Sequence, residues 1–250
     1  MFGVLSAGMG EVVPELTAEL VADGAVPLDP VISPDGRWVA YVVTTTGVKE
    51  RRVSALWVVP ADASSPPRRL TPGTAWAGGP RWAPDSDSLL FGSGGQLYRI
   101  GVDGGDAEAL ASWPGGIRGH LPLAGRLAAI VATGEPGEED EKAGRGDAMV
   151  WGEHLPGSRL WLLDLGSRDL QVVGGLGDRH VVEVAQRPDG GPLAVISWDC
   201  PEDEPGAFTA RLHVVDPRTG RLRIWAGSGW ARGRRPGGAP TAAGTWPIWR

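Results

Sequence analysis

The serines that could act as nucleophiles do not stand in a catalytic pattern. A hydrolase nucleophile on a strand-to-helix elbow is written Gly-x-Ser-x-Gly, because the sharp turn needs small residues on both sides of the serine. Ser93 and Ser228 come nearest to this pattern, yet neither has glycine two positions before it. Serines in ordinary turns are common. We therefore expect no catalytic residue in this chain.

The histidines and acidic residues offer only weak metal-binding patterns. His154 follows Glu153, and Glu183 follows His180 by three positions. A zinc site brings three or four ligands together, and no His-Glu-x-x-His motif is present. The acidic run at residues 138–141 lacks the alternate spacing of a calcium loop. We expect no metal, partly exposed strand histidines, and a solvated insertion at residues 134–142.

The glycine clusters resemble phosphate-binding loops only faintly. They lie at residues 101–105 and 174–178. Neither completes a dinucleotide fingerprint or a Walker lysine motif, and no helical pattern follows either cluster. We expect no cofactor and interpret both clusters as turns between strands.

These residues sit in a sequence that repeats itself. Ser-Pro-Asp-Gly-Arg-Trp-Val-Ala-Tyr at residues 33–41 is echoed at residues 83–91 and 187–195, with a degenerate copy at residues 123–130. The first two prolines are 50 residues apart and the next interval is 104, about twice as long. Proline presets φ, aspartate caps the turn and glycine accepts a positive φ, so Pro-Asp-Gly between apolar runs predicts a hairpin connection.

A second pattern follows each turn. A short apolar run in which leucine precedes a bulky residue recurs, and the runs begin at Leu56, Leu97, Leu160 and Leu212. His213 stands at the position where the other runs carry an aromatic residue. This position favours a packing role for His213. Each run is too short for a helix and is rich in strand-forming residues. In the first unit the pattern predicts strands at about residues 30–32, 38–44, 54–60 and 68–70.

Four-stranded units with a period of about 40–50 residues are typical of β-propellers. The predicted fold class is all-β, a β-propeller of about four blades of four antiparallel strands, expected to be part of a larger ring. Only residues 11–22 carry helical spacing, and we expect this helix beside the first blade. We divide the chain into an N-terminal segment (1–27), a partial propeller (28–228) and a Gly/Pro/Arg-rich tail expected to be disordered (229–250). The blades are predicted at residues 28–72, 78–112, 115–175 and 178–228.

Composition narrows the possible partners. The formal net charge is -6, and the pI of about 5.3 argues against a nucleic-acid surface. No uncharged apolar stretch approaches the roughly 20 residues of a membrane helix. The first residues lack the basic start of a signal peptide. Cys200 is the only cysteine, which excludes an intrachain disulfide. We expect a cytoplasmic protein that contacts neither nucleic acid nor membrane.

The turn at residues 33–41, the Leu-Trp strand that follows and Arg-Arg-Leu-Thr at residues 68–71 resemble the blades of the prolyl oligopeptidase superfamily of serine peptidases. The likeness is greatest to acylaminoacyl-peptidase and dipeptidyl-peptidase-like members and covers about residues 15–228. It implies a propeller that precedes a catalytic hydrolase domain, which this chain lacks, and a complete enzyme that hydrolyses peptide or acyl-amino-acid bonds. The implied partners are that hydrolase domain and a peptide substrate.

One alternative remains open from the sequence. Periplasmic TolB-like propellers share the Ser-Pro-Asp-Gly turn, so the chain could be a stand-alone propeller that binds a protein partner. Under the peptidase interpretation we expect the tail from Gly227 onward to be a truncation, a frameshifted end or a linker. Exposed blade edges would then favour self-association.

Overall fold

The computed structural model describes residues 24–45, 53–73, 76–134, 157–187 and 189–227. Within this part of the chain, sixteen strands form four antiparallel sheets, each built from four consecutive strands. The predicted helix at residues 11–22, the tail at 229–250 and all of the acidic insertion except Gly134 lie outside the described residues.

The strands follow one another in a simple meander within each sheet. The first sheet contains β1 (Ala25–Ile32), β2 (Trp38–Thr45), β3 (Val53–Pro60) and β4 (Arg68–Arg69). The second contains β5 (Gly78–Trp82), β6 (Ser88–Ser93), β7 (Gln96–Gly101) and β8 (Gly104–Ser112). The third contains β9 (Ile117–Leu123), β10 (Leu127–Thr133), β11 (Ser158–Asp164) and β12 (Leu170–Val172). The fourth contains β13 (His180–Gln186), β14 (Leu193–Trp198), β15 (Arg211–Val215) and β16 (Leu222–Gly227).

The turn between the first two strands contains a residue with a positive φ in every sheet. These residues are Gly36 (73°), Ser86 (66°) and Gly190 (77°) in the first, second and fourth sheets, and both Gly125 (78°) and Arg126 (64°) in the third. In three of the turns the preceding aspartate accepts a hydrogen bond from the backbone N–H two residues later, which explains why Asp follows Pro in the motif. The predicted turns are therefore present, although Pro188 itself lies outside the described residues.

The first strand of each sheet carries a bulge. Pairing with the second strand shifts register at residues 28–31, 78–81, 117–119 and 181–183. In the first two sheets the bulge is the same dipeptide geometry, since Asp29 (φ 50°) and Gly79 (φ 61°) each precede a proline. Bulges bend a strand and turn its side chains. The first strand in each sheet therefore bends at its bulge, and its side chains change direction there.

The sheets pack face to face in chain order. Leu56 and Val58 of the first sheet pack against Leu89 and Phe91 of the second. A second cluster joins sheets two and three around Leu90, and a third joins sheets three and four around Leu160 and Val195. The first strands of neighbouring sheets approach one another, β1 on β5, β5 on β9 and β9 on β13, so they lie at the centre of the array. These four blades confirm the predicted all-β propeller fold.

Some local predictions need correction. The first strand is longer than the predicted residues 30–32, because pairing with β2 continues back to Ala25. The second glycine cluster does not make a turn between strands of one sheet. It forms a 3₁₀ turn, Gly174–Leu176, in the connection from the third sheet to the fourth, with Leu176 buried against both.

Candidate functional site

The fourth sheet contains a serine and a histidine in direct contact. Ser197 lies on β14 and His213 on β15, at diagonal positions of the paired strands. Ser197 Oγ and His213 Nε2 are 2.7 Å apart, and the two residues are 0% and 2% exposed. Alternation along the strands turns both side chains toward the third sheet. A serine and a histidine at this distance are the types that form a nucleophile and its base.

The surroundings of this pair oppose that chemistry. Arg179 Nε donates to Ser197 Oγ at 2.8 Å, which occupies a lone pair that a nucleophile would use. Burial, followed by the charges of Arg179 and Arg211, lowers the pKa of His213. Among the described residues its buried Nδ1 has no hydrogen-bond partner, whereas a catalytic histidine is oriented there by a carboxylate. The pair lies in the packed interior between the third and fourth sheets.

Arg179 organises the chain around this pair. Its Nη2 donates to the carbonyl oxygens of Ser197 at 3.1 Å and Thr209 at 2.8 Å, and its Nη1 pairs with Asp199. Thr209 Oγ1 in turn accepts from the Asp199 N–H at 2.7 Å. One guanidinium thus ties the end of β14 to the segment that leads into β15. The sequence analysis did not predict this network, because the position of Arg179 in the sequence does not indicate which residues it contacts.

Polar contacts also join neighbouring sheets at their centre. Ser54 Oγ on β3 donates to the Ala77 carbonyl at 2.6 Å and accepts from the Ala77 N–H at 2.7 Å. Trp82 Nε1 on β5 donates to the Val31 carbonyl on β1 at 3.1 Å. Because these groups are at the interface of sheets one and two, they fix how the two blades are set against each other.

Two histidines make the corresponding contacts further along the array. His120 on β9 reaches the Leu90 carbonyl on β6 with Nε2 at 3.2 Å, and burial lowers its pKa to about 4. His180 on β13 accepts a 3.0 Å hydrogen bond at Nδ1 from the N–H of Ser158 on β11. Burial and the charge of Arg118 lower the pKa of His180. An acceptor Nδ1 requires a neutral imidazole at His180. The lowered pKa of His120 makes its ring neutral at pH 7 as well.

The structure places the other candidate residues apart from one another. Ser93 ends β6, and its hydroxyl donates to the Trp76 carbonyl at 2.6 Å. His180 is buried, which corrects the prediction of a partly exposed strand histidine, whereas the burial of His213 agrees with its predicted packing role. The residues that lie outside the described part of the chain are Glu153, His154, Ser228 and the acidic run at 138–141. Among the described residues, no group of three His, Cys, Asp or Glu side chains is placed to hold a metal ion.

The central strands expose charged side chains of both signs. Asp29 on β1, Arg81 on β5, Arg118 on β9 and Glu183 on β13 are all exposed. They lie at or beside the bulges, on the strands that converge at the centre. The central strands therefore present charged side chains, next to exposed apolar residues such as Leu28 and Val182. In the described part of the chain, no helix is both long and apolar enough to cross a membrane.

Comparison with known proteins places this architecture in a class. The fold is that of the β-propeller domains found in peptidases and in TolB. An acylaminoacyl peptidase of Pyrococcus horikoshii superposes with a TM-score of 0.57 at 13% identity, covering 84% of this chain and 34% of that one. TolB from Acinetobacter baumannii superposes with a TM-score of 0.53 at 14% identity, covering 80% of this chain and 43% of TolB.

A sequence relative points in the same direction. The chain is 31% identical over 123 residues to the uncharacterized peptidase YuxL of Bacillus subtilis (strain 168), which covers 46% of this chain and 18% of YuxL. The chain thus spans about a fifth of the length of this relative and about a third of the peptidase structure. It matches no protein-family model.

Proposed function

We propose that this chain is the non-catalytic propeller portion of a prolyl-oligopeptidase-type serine peptidase, and that it controls the access of peptides to a hydrolase domain. The observation that carries the proposal is the similarity to the peptidase YuxL over 123 residues. The propeller fold shared with an acylaminoacyl peptidase supports it. The complete enzyme would hydrolyse peptide or acyl-amino-acid bonds.

The converging first strands give this role a physical basis. A ring of blades excludes folded proteins by size. The bulged central strands would present Asp29, Arg81, Arg118 and Glu183 to peptides that pass through the centre. Mixed charges attract the zwitterionic ends of short peptides without selecting one sign. The propeller would thus contribute to the reaction by exclusion and orientation, and proton transfer would belong to the hydrolase domain.

The experiment that tests the proposal begins with the DNA beyond codon 250. We expect an open frame, in some phase, that encodes further Pro-Asp-Gly repeats followed by Gly-x-Ser-x-Gly. The polypeptide restored from that frame should cleave an acyl-aminoacyl chromogenic substrate and leave a folded protein intact. A downstream region without such a frame, together with the lack of an adjacent hydrolase gene, would overturn the proposal.

A stand-alone TolB-like propeller that serves as a protein-interaction module is the second candidate. The superposition on TolB favours it, because 80% of this chain aligns with 43% of that protein at a TM-score of 0.53. A closed ring and a stable monomer are expected under this alternative. Sedimentation of the purified chain distinguishes the two functions, since an open array exposes the face of its last blade.

That last face is apolar. Alternation along β14 and β15 turns Ala194, Ile196, Leu212 and Val214 away from the third sheet, and Ile196 is 36% exposed. Val182, at the bulge of β13, is 39% exposed. We propose that this face drives self-association of the isolated chain, whereas a further blade would cover it in a complete ring.

A further inference from the structure

The turns of the second and third sheets stand apart where other neighbouring turns touch. Between the first two sheets, the Asp35 N–H donates to Ser86 Oγ at 3.1 Å. Between the last two, a Cβ on Gly190 would lie 3.5 Å from the Ala124 Cβ. Between the second and third sheets a cavity of about 420 Å³ opens instead. This volume is in the range of small-ligand sites.

The cleft has an apolar floor and a charged rim. Leu90, Leu123 and Leu165 line the floor, and the first two are 0% and 2% exposed. Asp85, Ser88, Arg99 and Arg126 are also among its walls. Such a combination suits a ligand with an aliphatic body and a polar end.

Arg126 is held in a conformation that a long side chain rarely adopts. It occupies the left-handed region at φ 64°, directly after Gly125, which lies in the same region at φ 78°. A non-glycine residue there costs roughly 1–2 kcal/mol. Within the described residues its guanidinium makes no hydrogen bond; its charge helps lower the pKa of Asp164, after the larger effect of the Ser167 and Gly166 backbone N–H groups. Strain of this kind accumulates at binding sites.

Arg99 on the opposite wall is fixed in place. Its Nε and Nη2 both bond to Glu108 Oε2, at 3.1 and 2.7 Å. Glu108 also pairs with Arg168 of the third sheet, so this carboxylate is shared between two cations. Asp85 is the acidic group among the cleft walls and Arg99 is already paired with Glu108. Arg126 is therefore the wall cation for which the described residues supply no salt bridge.

We propose that this cleft binds a peptide segment that carries a carboxylate next to an aliphatic side chain. The carboxylate pairs with Arg126, beside the fixed Arg99, and the side chain covers Leu90, Leu123 and Leu165. The carboxylate is either the free C-terminus of a short peptide or an acidic side chain within a longer one. This inference does not depend on the peptidase proposal, because it concerns an outer cleft between two described blades.

The test is a fluorescence-anisotropy titration of the full chain with three labelled peptides. One ends in Ala-Leu-Leu with a free carboxylate, the second is its C-terminal amide, and the third is the amide with glutamate before the leucines. We expect the amide without glutamate to bind at least tenfold more weakly than one of the other two. The tighter of those two identifies the source of the carboxylate.

Variants assign the binding to the cleft. Arg126→Gly removes the guanidinium and places a residue suited to the positive φ, so the fold should be retained. Ser88→Leu fills the cleft, and Arg218→Ala removes an exposed arginine from a remote turn as a control. We expect at least tenfold weaker binding for the first two and no change for the third. Equal affinity of Arg126→Gly and Arg218→Ala, or no binding of any peptide at 1 mM, overturns the proposal.

Discussion

Ser54 and Ser158 occupy the same position in the first and third sheets, two residues before the Leu-Trp pair, and each bonds to the beginning of the next sheet. Ser54 uses its hydroxyl on both backbone groups of Ala77, whereas Ser158 uses its backbone N–H on His180. The repeat thus conserves the place of the contact while changing the groups that make it. Each such contact lies in a buried interface, where a lost partner is costly.

Replacing Ser54 should therefore weaken the first blade interface. Ser54→Ala leaves the buried N–H and C=O of Ala77 without their partner, and we expect the free energy of unfolding to fall by about 1–3 kcal/mol. Urea unfolding followed by tryptophan fluorescence measures the change. Ser64→Ala, at an exposed position, is the matched control and should change stability by less than about 0.5 kcal/mol. Equal effects of the two variants would contradict the assigned role.

Acid should destabilise the blade interfaces through their histidines. The folded-state pKa of His120 is about 4 against an ordinary value of 6.5, so the unfolded chain binds the proton more readily between these values. Its contribution to stability is present above pH 6.5 and is lost as pH falls to about 4, a loss on the order of 3 kcal/mol. His180 and His213, whose pKa values are also lowered, act in the same direction.

The variant His120→Gln isolates this effect. Glutamine can still donate to the Leu90 carbonyl but does not titrate, so the slope of stability between pH 6.5 and 4 should become shallower. Denaturant unfolding at half-unit pH intervals provides the measurement. An unchanged slope would show that His120 takes up its proton equally in the folded and unfolded states.

Replacing Arg179 with lysine should destabilise the protein even though the positive charge is kept. Lysine keeps the positive charge but cannot reach Asp199, the Ser197 hydroxyl and two carbonyl oxygens at once. We expect Arg179→Lys to lower the melting temperature by several degrees, consistent with a loss of about 1–3 kcal/mol. Arg221→Lys, at an exposed position, should leave it unchanged. A melting temperature retained in both variants would mean that the network adds no stability.

The purified chain should show no serine hydrolase activity. The Ser197 hydroxyl contacts His213, and Ser197 is 0% exposed, so a fluorophosphonate probe has no approach to its Oγ. We expect no labelling and no turnover of aminoacyl chromogenic substrates, with a known serine hydrolase as positive control. Stoichiometric labelling, lost in Ser197→Ala, would establish a nucleophile that the geometry argues against.

Self-association should depend on the outer face of the fourth sheet. A lysine at Ile196 places a charge on that face, and we expect Ile196→Lys to shift sedimenting oligomers toward monomer. Val172→Lys changes a residue that is 45% exposed on the outermost strand of the third sheet and serves as the control. A wild-type chain that sediments as a monomer at all concentrations would favour the closed TolB-like ring.

The sequence predicts the turns well and the interfaces poorly, for a physical reason. Pro-Asp-Gly determines local backbone geometry, and even the third sheet, which has Leu-Ala-Gly in its place, keeps the positive φ at Gly125. The bond between His180 and Ser158 joins residues of different sheets, and no local pattern encodes it. The packing role of His213 was predictable because it shares the repeat position of Trp161, but its serine partner lies diagonally across the strand pair.

Two of the four outermost strands, β4 and β12, are short, and this affects the chain before it is fully folded. β4 is two residues long and both are arginine, and β12 has three residues. An incoming strand finds few free backbone groups there and, at β4, two cations that repel it. During synthesis, edge-to-edge pairing with another chain is therefore disfavoured at β4 and β12, even before the later blades have been made.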